Sequence, residues 1–145
     1  MPDIEHGVLI REKPDVVLRA LTTIDGLRGW WTQQTDGVAA LGGHLSFDFD
    51  DRFHNEMVVE SIAKRRRIVW RCEKGDDQWV GTKLTFDLEP HAEGTWLKFG
   101  HRGWNQSTDF MKSCDSQWET YLKSLQSLCE KGHGKPHVAT IDKSF

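Results

Sequence analysis

The sequence predicts an α+β fold: a curved antiparallel sheet of six strands wrapped around one long C-terminal helix, with two short helices after the first strand. Three observations predict it. Residues 107–131 carry Phe110, Met111, Cys114, Trp118, Tyr121, Leu122, Leu125, Leu128 and Cys129 at spacings of three and four. That is the period of a helix with one apolar face. Residues 44–102 instead alternate apolar and polar side chains in runs separated by short polar turns, the pattern of antiparallel strands. Each run is apolar on one side only, so the sheet needs a single cover, and the helix stripe is broad enough to supply it.

Taken in order, residues 4–11 read as the first strand. Pro14 suits the first turn of a helix, which Val16, Val17, Leu18, Ala20 and Leu21 continue until residues 22–26 break it. Leu27, Trp30 and Trp31 belong to a second short helix, and residues 37–43 to a loop. Leu45, Phe47 and Phe49 alternate with Ser46, Asp48 and Asp50. Residues 54–62 form the next strand, with Met57, Val59 and Ser61 on one face, and a basic turn follows. Ile68, Trp70 and Cys72 alternate with Val69 and Arg71. Residues 79–89 carry Leu84, Phe86 and Leu88, and residues 95–102 carry Leu97, Phe99 and His101 on the inward side. Ser107 or Thr108 caps the long helix, Asp109 suits the positive end of its dipole, and Gly132 stops it.

At 145 residues the chain is long enough to build one core without staples. We read residues 1–131 as that single domain and 132–145 as a mobile polar tail. The net charge of −3 marks neither a nucleic-acid nor a membrane partner. No apolar run approaches the roughly 18 residues of a membrane span, and the N-terminus carries no secretory pattern. Cys72, Cys114 and Cys129 are odd in number and form no CxxC, so reduced thiols and a cytoplasmic location are expected. Seven tryptophans against one tyrosine point to a large aromatic core or an aromatic-lined cavity.

The candidate site lies between sheet and helix. Trp30, Phe47, Phe49, Met57, Val59, Trp70, Phe86, Leu97, Phe99, His101, Phe110, Met111, Cys114 and Trp118 are positioned to share one space. They either line a pocket for an apolar ligand or pack at ordinary core density. His101 is the weak catalytic candidate: an inward imidazole can bind a ligand or act as acid or base, but more often it is a satisfied core residue. A bulge at Gly100 would turn it outward. Cys114, near the helix start, reads as a buried thiol ahead of a reactive one.

Asp48, Asp50 and Asp51 read as a solvated turn ahead of a cation site, since they lack the glycine and distal glutamate of a calcium loop. Residues 64–67 read as a basic turn, and His133 with His137 lacks further ligands for a metal. No cofactor or metal is therefore expected. Phosphate-loop, nucleophile-elbow and zinc-protease motifs are missing. His101 and Glu119 are thin equipment for catalysis, so binding is expected ahead of turnover.

Several local motifs carry a resemblance. They are Leu27 with Gly29-Trp30-Trp31, Gly42-Gly43 before Leu45-Ser46-Phe47, Arg67-Ile68-Val69-Trp70, and above all residues 94–104 followed by Trp118. In order and spacing over residues 4–131 the chain resembles the helix-grip fold of the START (SRPBCC, birch-pollen-allergen-like) superfamily. Within it the chain is similar to the subfamily of the C-terminal domain of the heat-shock-protein-90 ATPase activator. That superfamily includes binders of apolar small molecules, cyclases and related enzymes, and chaperone cofactors.

The resemblance implies first a hydrophobic small molecule held between sheet and helix. His101 and the Trp30 and Trp104 indole N–H groups would orient it, and the loops at 26–43 and 103–108 would control its access. It implies second a cyclase or hydratase using the same cavity with His101 as acid or base. A chaperone-activator-like interaction through the outer sheet face (Trp96, Lys98, Arg71, Lys83) ranks last. The activator's separate N-terminal domain has no counterpart here, so chaperone contact is not expected. A weak homodimer is compatible with the sequence, which does not set the oligomeric state.

Overall fold

The structure is a computed structural model that describes residues 2–139. Strand β1 (Ile4–Ile10) leads into α1 (Pro14–Thr22) and α2 (Ile24–Trp30). Then come β2 (Gln34–Gly37), β3 (His44–Phe49), β4 (Phe53–Ala63), β5 (Arg67–Lys74), β6 (Lys83–His91), β7 (Gly94–Arg102) and α3 (Asp109–Lys131). The strands form one antiparallel sheet in the order β1-β7-β6-β5-β4-β3-β2. Short hairpins join most neighbours, and one long excursion brings β1 beside β7.

The expected architecture is present, with one strand more than predicted. β2 has the sequence Gln-Thr-Asp-Gly, which shows no apolar alternation, yet it pairs with β3 from Gln34↔Asp48 to Gly37↔Leu45. Hydrogen bonds hold it: Thr35 Oγ1 donates to Thr32 O and Arg28 Nε to Thr35 O. The strand predicted from residue 79 begins at Lys83 instead, and Trp79 sits in the connection before it.

The concave sheet face and α3 enclose the core. Leu45, Phe47, Met57, Val59, Ile68, Trp70, Leu84, Phe86, Leu97 and Phe99 are all buried to within 1%. Opposite them α3 buries Cys114, Trp118, Leu122, Leu125 and Cys129. Each such aliphatic or aromatic side chain contributes on the order of 1.5–3 kcal/mol by leaving water. Thr108 caps α3 by accepting from Met111 N at 3.1 Å, and Gly132 ends it at φ +86° with its N–H on Leu128 O. α1 and α2 form a tight corner. Gly26 lies so close to Ala20 that a Cβ there would stand 2.7 Å from the Ala20 backbone. The Trp30 indole donates to Ala20 O at 3.0 Å across the same corner.

The segment after α3, expected to be a mobile tail, returns to the body as far as the structure describes it. Lys135 N donates to Ser124 Oγ, and Ser127 Oγ donates to His133 O. His137 N donates to Trp31 O at 2.8 Å, and Gln33 N donates to His137 O at 3.0 Å. The rest of that expectation, residues 140–145, lies outside the described residues. No helix among the described residues is long and apolar enough to cross a membrane.

Candidate functional site

One face of the first half of α3 meets the β2–β3–β4 end of the sheet across a cleft of about 130 Å³. Phe110, Ser113, Cys114, Gln117, Trp118 and Tyr121 form the helix wall, at the three- and four-residue spacing of a single face. Phe49 of β3, Phe53 and Asn55 of β4, and Trp31 just after α2 form the opposite wall. Asp76 and Trp79 close it from the β5–β6 connection. Thr108 ties that connection to the start of α3, donating to Gln78 Oε1 at 2.6 Å.

Seven of the twelve lining residues are aromatic. Trp118 has Trp31 at 5.1 Å on one side and Trp79 at 6.1 Å on the other. Phe49 lies 5.8 Å from Trp31 and 6.3 Å from Tyr121, and Phe53 lies 6.2 Å from Phe110. Phe53 is 41% exposed, an apolar ring left at the rim. The returning His137 packs tilted against Phe49 at 5.3 Å and sits 3.4 Å from an Asp50 carboxylate oxygen.

Two polar groups, the Asn55 carboxamide and the Trp79 indole N–H, stand in the cleft wall. Asn55 is only 4% exposed, and it stands in the cleft lining among the rings. Gly75 makes room for it, since a Cβ there would lie 2.5 Å from Asn55 Oδ1. Trp79 is 8% exposed and its indole N–H lacks a hydrogen-bond partner. Its neighbour is the Cys114 thiol, a weak acceptor at best. Burial raises the pKa of that thiol, the Asp76 charge raises it further, and Trp79 opposes both. Cys114 is therefore a protonated, inert thiol at neutral pH. Burial also raises the Tyr121 phenol and pushes the thiols of Cys72 to about 11 and Cys129 to about 12.

Of the residues expected to share one space, Phe49, Phe110, Cys114 and Trp118 line the cleft. Trp30, Phe47, Met57, Val59, Trp70, Phe86, Leu97, Phe99 and His101 lie beneath it in the packed core, each 0–1% exposed. Met111 points to the other side of α3, beside Ile4 and Asp115. The expected access loops contribute Trp31 to the lining, and neither the Trp30 nor the Trp104 indole lines the cleft.

His101 faces inward as predicted, because the register runs unbroken through Gly100, from Thr85↔Gly100 to Leu84↔His101. Both its nitrogens are occupied. Trp118 Nε1 donates to Nδ1 at 3.1 Å, which leaves the proton on Nε2, 2.9 Å from Thr82 Oγ1. Thr82 Oγ1 in turn donates to Trp79 O at 2.5 Å. Burial pushes the imidazole pKa down to about 3, so it is neutral at physiological pH. Trp79 at 4.6 Å and Trp118 at 6.0 Å, both in the cleft lining, pack against it, and His101 itself is not in that lining.

Sequence reasoning missed Trp31, Phe53, Asn55, Asp76, Trp79, Ser113, Gln117 and Tyr121 as lining residues. Two signals were available. Ser113 and Gln117 fall on the Phe110–Cys114–Trp118 face by helical spacing, and Asn55 is the polar residue in register with inward Met57 and Val59. Trp79 and Asp76 lie in an irregular connection that no periodicity reports.

The remaining charged clusters sit on the surface. His54 links Asp48 at 2.6 Å and Glu56 at 2.7 Å, and these carboxylates raise its pKa. On the outer sheet face Arg71 and Lys83 both pair with Glu60, and Lys98 pairs with Glu89. Trp96 lies over Gly7, whose missing Cβ would stand 2.4 Å from the indole. Among the described residues no three His, Cys, Asp or Glu side chains converge as a metal site.

A curved sheet gripping a C-terminal helix, with a cleft between them, defines a START-like helix-grip protein of the SRPBCC superfamily. Residues 12–130 match the family model described as activator of Hsp90 ATPase homolog 1-like protein, and the chain belongs to that family. Among solved structures it is similar to the Aha1 dimer from Colwellia psychrerythraea. The two share 33% identity with a TM-score of 0.83, over 92% of this chain and 100% of that one. It also resembles the protein SSP2350 from Staphylococcus saprophyticus, at 15% identity and TM-score 0.77 over 94% and 98% of the two chains. A third likeness is to DynU16, encoded in the dynemicin biosynthetic locus, at 17% identity and TM-score 0.79 over 91% of this chain and 48% of that one. Among curated proteins no match is found.

Proposed function

We propose that this protein binds a small apolar or amphipathic molecule in the cleft between the first half of α3, β3–β4 and the β5–β6 connection. The observation that carries the reading is the aromatic lining of the cleft, seven rings with the polar Asn55 side chain set among them. A ligand there offers apolar surface to the rings, at roughly 25 cal/mol per Å² buried, and a hydrogen-bonding group to Asn55.

The size limits the ligand. An apolar cavity of about 150 Å³ takes up benzene, so about 130 Å³ admits one ring-sized group or the head of a longer molecule whose remainder leaves past Phe53. Binding rather than turnover fits the occupied, neutral His101. Native mass spectrometry of protein purified from its own source should show an added mass that is lost on denaturation. Ring-sized apolar probes such as toluene and indole should change the tryptophan fluorescence or the NMR shifts of the cleft residues. A bare chain mass together with no response to any probe would sink the proposal.

The same proposal places the protein in the cytoplasm, in keeping with its three free cysteines. Self-association is part of it too, since the similar Colwellia protein is described as a dimer. Sedimentation velocity at rising concentration should show a weak dimer. A single monomer boundary at every concentration would count against it.

A further inference from the structure

The lining of the cleft carries an electrostatic asymmetry that narrows the ligand class. Of its twelve residues only Asp76 is charged, and none is Lys, Arg or His. The walls otherwise present aromatic rings, whose faces are electron-rich and attract cations. Basic side chains are nearby but directed elsewhere. Lys74 pairs with Glu56. Arg52, Lys135 and His137 line the adjoining groove, beyond Phe49 and Phe53.

Asp76 stands on the same wall as Asn55, because Gly75 beside it packs directly on the Asn55 carboxamide. Its field reaches the cleft interior, where it opposes ionisation of Cys114. One Asp76 oxygen accepts from Gln78 N at 2.8 Å, which holds the carboxylate at the cleft edge and leaves the second oxygen for another partner.

We infer that the ligand of this cleft is a small organic cation, an alkylated ammonium group set among the rings of Trp31, Trp79, Trp118 and Tyr121 with its charge toward Asp76. This rests on the binding reading above and specifies the class of molecule. A methylated ammonium head matches a ring-sized space better than a flat polycycle does. It is weakly hydrated, so it loses little on entering an aromatic wall. Cation–ring attraction strengthens as the contact is desolvated, as it is among these buried indoles. Asn55 then serves as the neutral polar group facing an N–H or hydroxyl next to the charged centre. An anionic ligand would meet the Asp76 carboxylate with no base in the cleft lining to offset it.

The test compares shape-matched probes on the full chain. Choline and 3,3-dimethylbutan-1-ol have the same outline and differ in one charge. Titrations followed by tryptophan fluorescence and NMR should show choline binding about tenfold tighter than the alcohol, with the preference weakening as salt rises. Asp76→Asn keeps the bond to Gln78 N and removes the charge, so it should bring choline down to the level of the alcohol without moving the melting temperature.

Equal affinity for the two probes would overturn the cationic class while leaving the cleft as a binding site. Binding of neither would also overturn it. The response to toluene and indole would then decide separately whether the cleft binds anything. A choline preference unchanged in Asp76→Asn would overturn the role given to the carboxylate.

Discussion

His101 is buried in the core with both ring nitrogens engaged by neighbouring side chains. It is 0% exposed, it accepts from the Trp118 indole, and its remaining proton goes to Thr82. Sequence alternation was enough to turn it inward, but it could not say that a tryptophan on the facing helix would take its second nitrogen. The consequence is measurable. Its folded pKa, about 3, lies below the unfolded value of about 6.5. The unfolded chain therefore binds the proton first as pH falls, and stability is lost from about pH 6.5 downward toward pH 3. The slope from this one group approaches 1.4 kcal/mol per pH unit.

His54 acts in the opposite sense. Its pKa is raised by Glu56 and Asp48, so its contribution is present below about pH 6.5 and lost as pH rises through the folded value. It is largely solvated, so screening keeps its effect small. Urea unfolding of wild type and His101→Gln between pH 7 and 4.5 should separate the two. The variant is less stable at pH 7, and its deficit should shrink as pH falls. A deficit independent of pH would show that the histidine is not held neutral.

At the scale of elements, α3 was the most legible part of the chain and β2 the least. The helix announced itself because one stripe of bulky side chains recurs through 23 residues. The four-residue β2 is carried by hydrogen bonds from Thr35 and Arg28, which leave no periodic trace. The β5–β6 connection was opaque for the same reason, and it brings Asp76 and Trp79 to the cleft. Five of the cleft residues lie on positions readable from apolar periodicity: Phe49, Phe110, Cys114, Trp118 and Tyr121, of which Tyr121 was not among the expected site residues. Those supplied by connections and by polar positions of regular elements were not.

Thr108 joins the legible element to the opaque one. Its hydroxyl oxygen caps Met111 N while its proton goes to Gln78. Thr108→Ala should cost about 1–2 kcal/mol in chemical denaturation, at the upper range for a cap because both bonds go. Thr108→Ser should recover most of it. An alanine variant as stable as wild type would mean that the connection is held by Trp79 packing alone.

For the whole molecule, the broad architecture followed from two periods, 3.6 and 2, and from turns short enough to force antiparallel neighbours. What those signals leave open is depth. Most of the inward aromatic side chains fill space against one another, as Phe86 does between Trp70 at 5.0 Å and Phe99 at 5.3 Å. A sequence cannot distinguish a ring that fills the core from one that borders an opening. That depends on how closely two curved surfaces approach, and here they separate near the first half of α3. The same closeness decides the fate of the chain after Gly132, where Ser124 and the backbone around Trp31 draw polar residues back onto the body.

The sheet order has a consequence for biosynthesis. β1 pairs with no strand near it in sequence; its partner is β7, with Ile4 opposite His101 and Ile10 opposite Thr95. On a ribosome adding about 5–20 residues per second, the first strand and the two helices after it wait several seconds for that partner to emerge. They wait longer still for α3, which covers them all. The β3–β6 hairpins can form as they appear, but closure of the sheet belongs to the finished polypeptide. Nascent chains arrested before residue 94 should therefore expose the apolar side of β1 and α1 and be the species that early-binding chaperones hold.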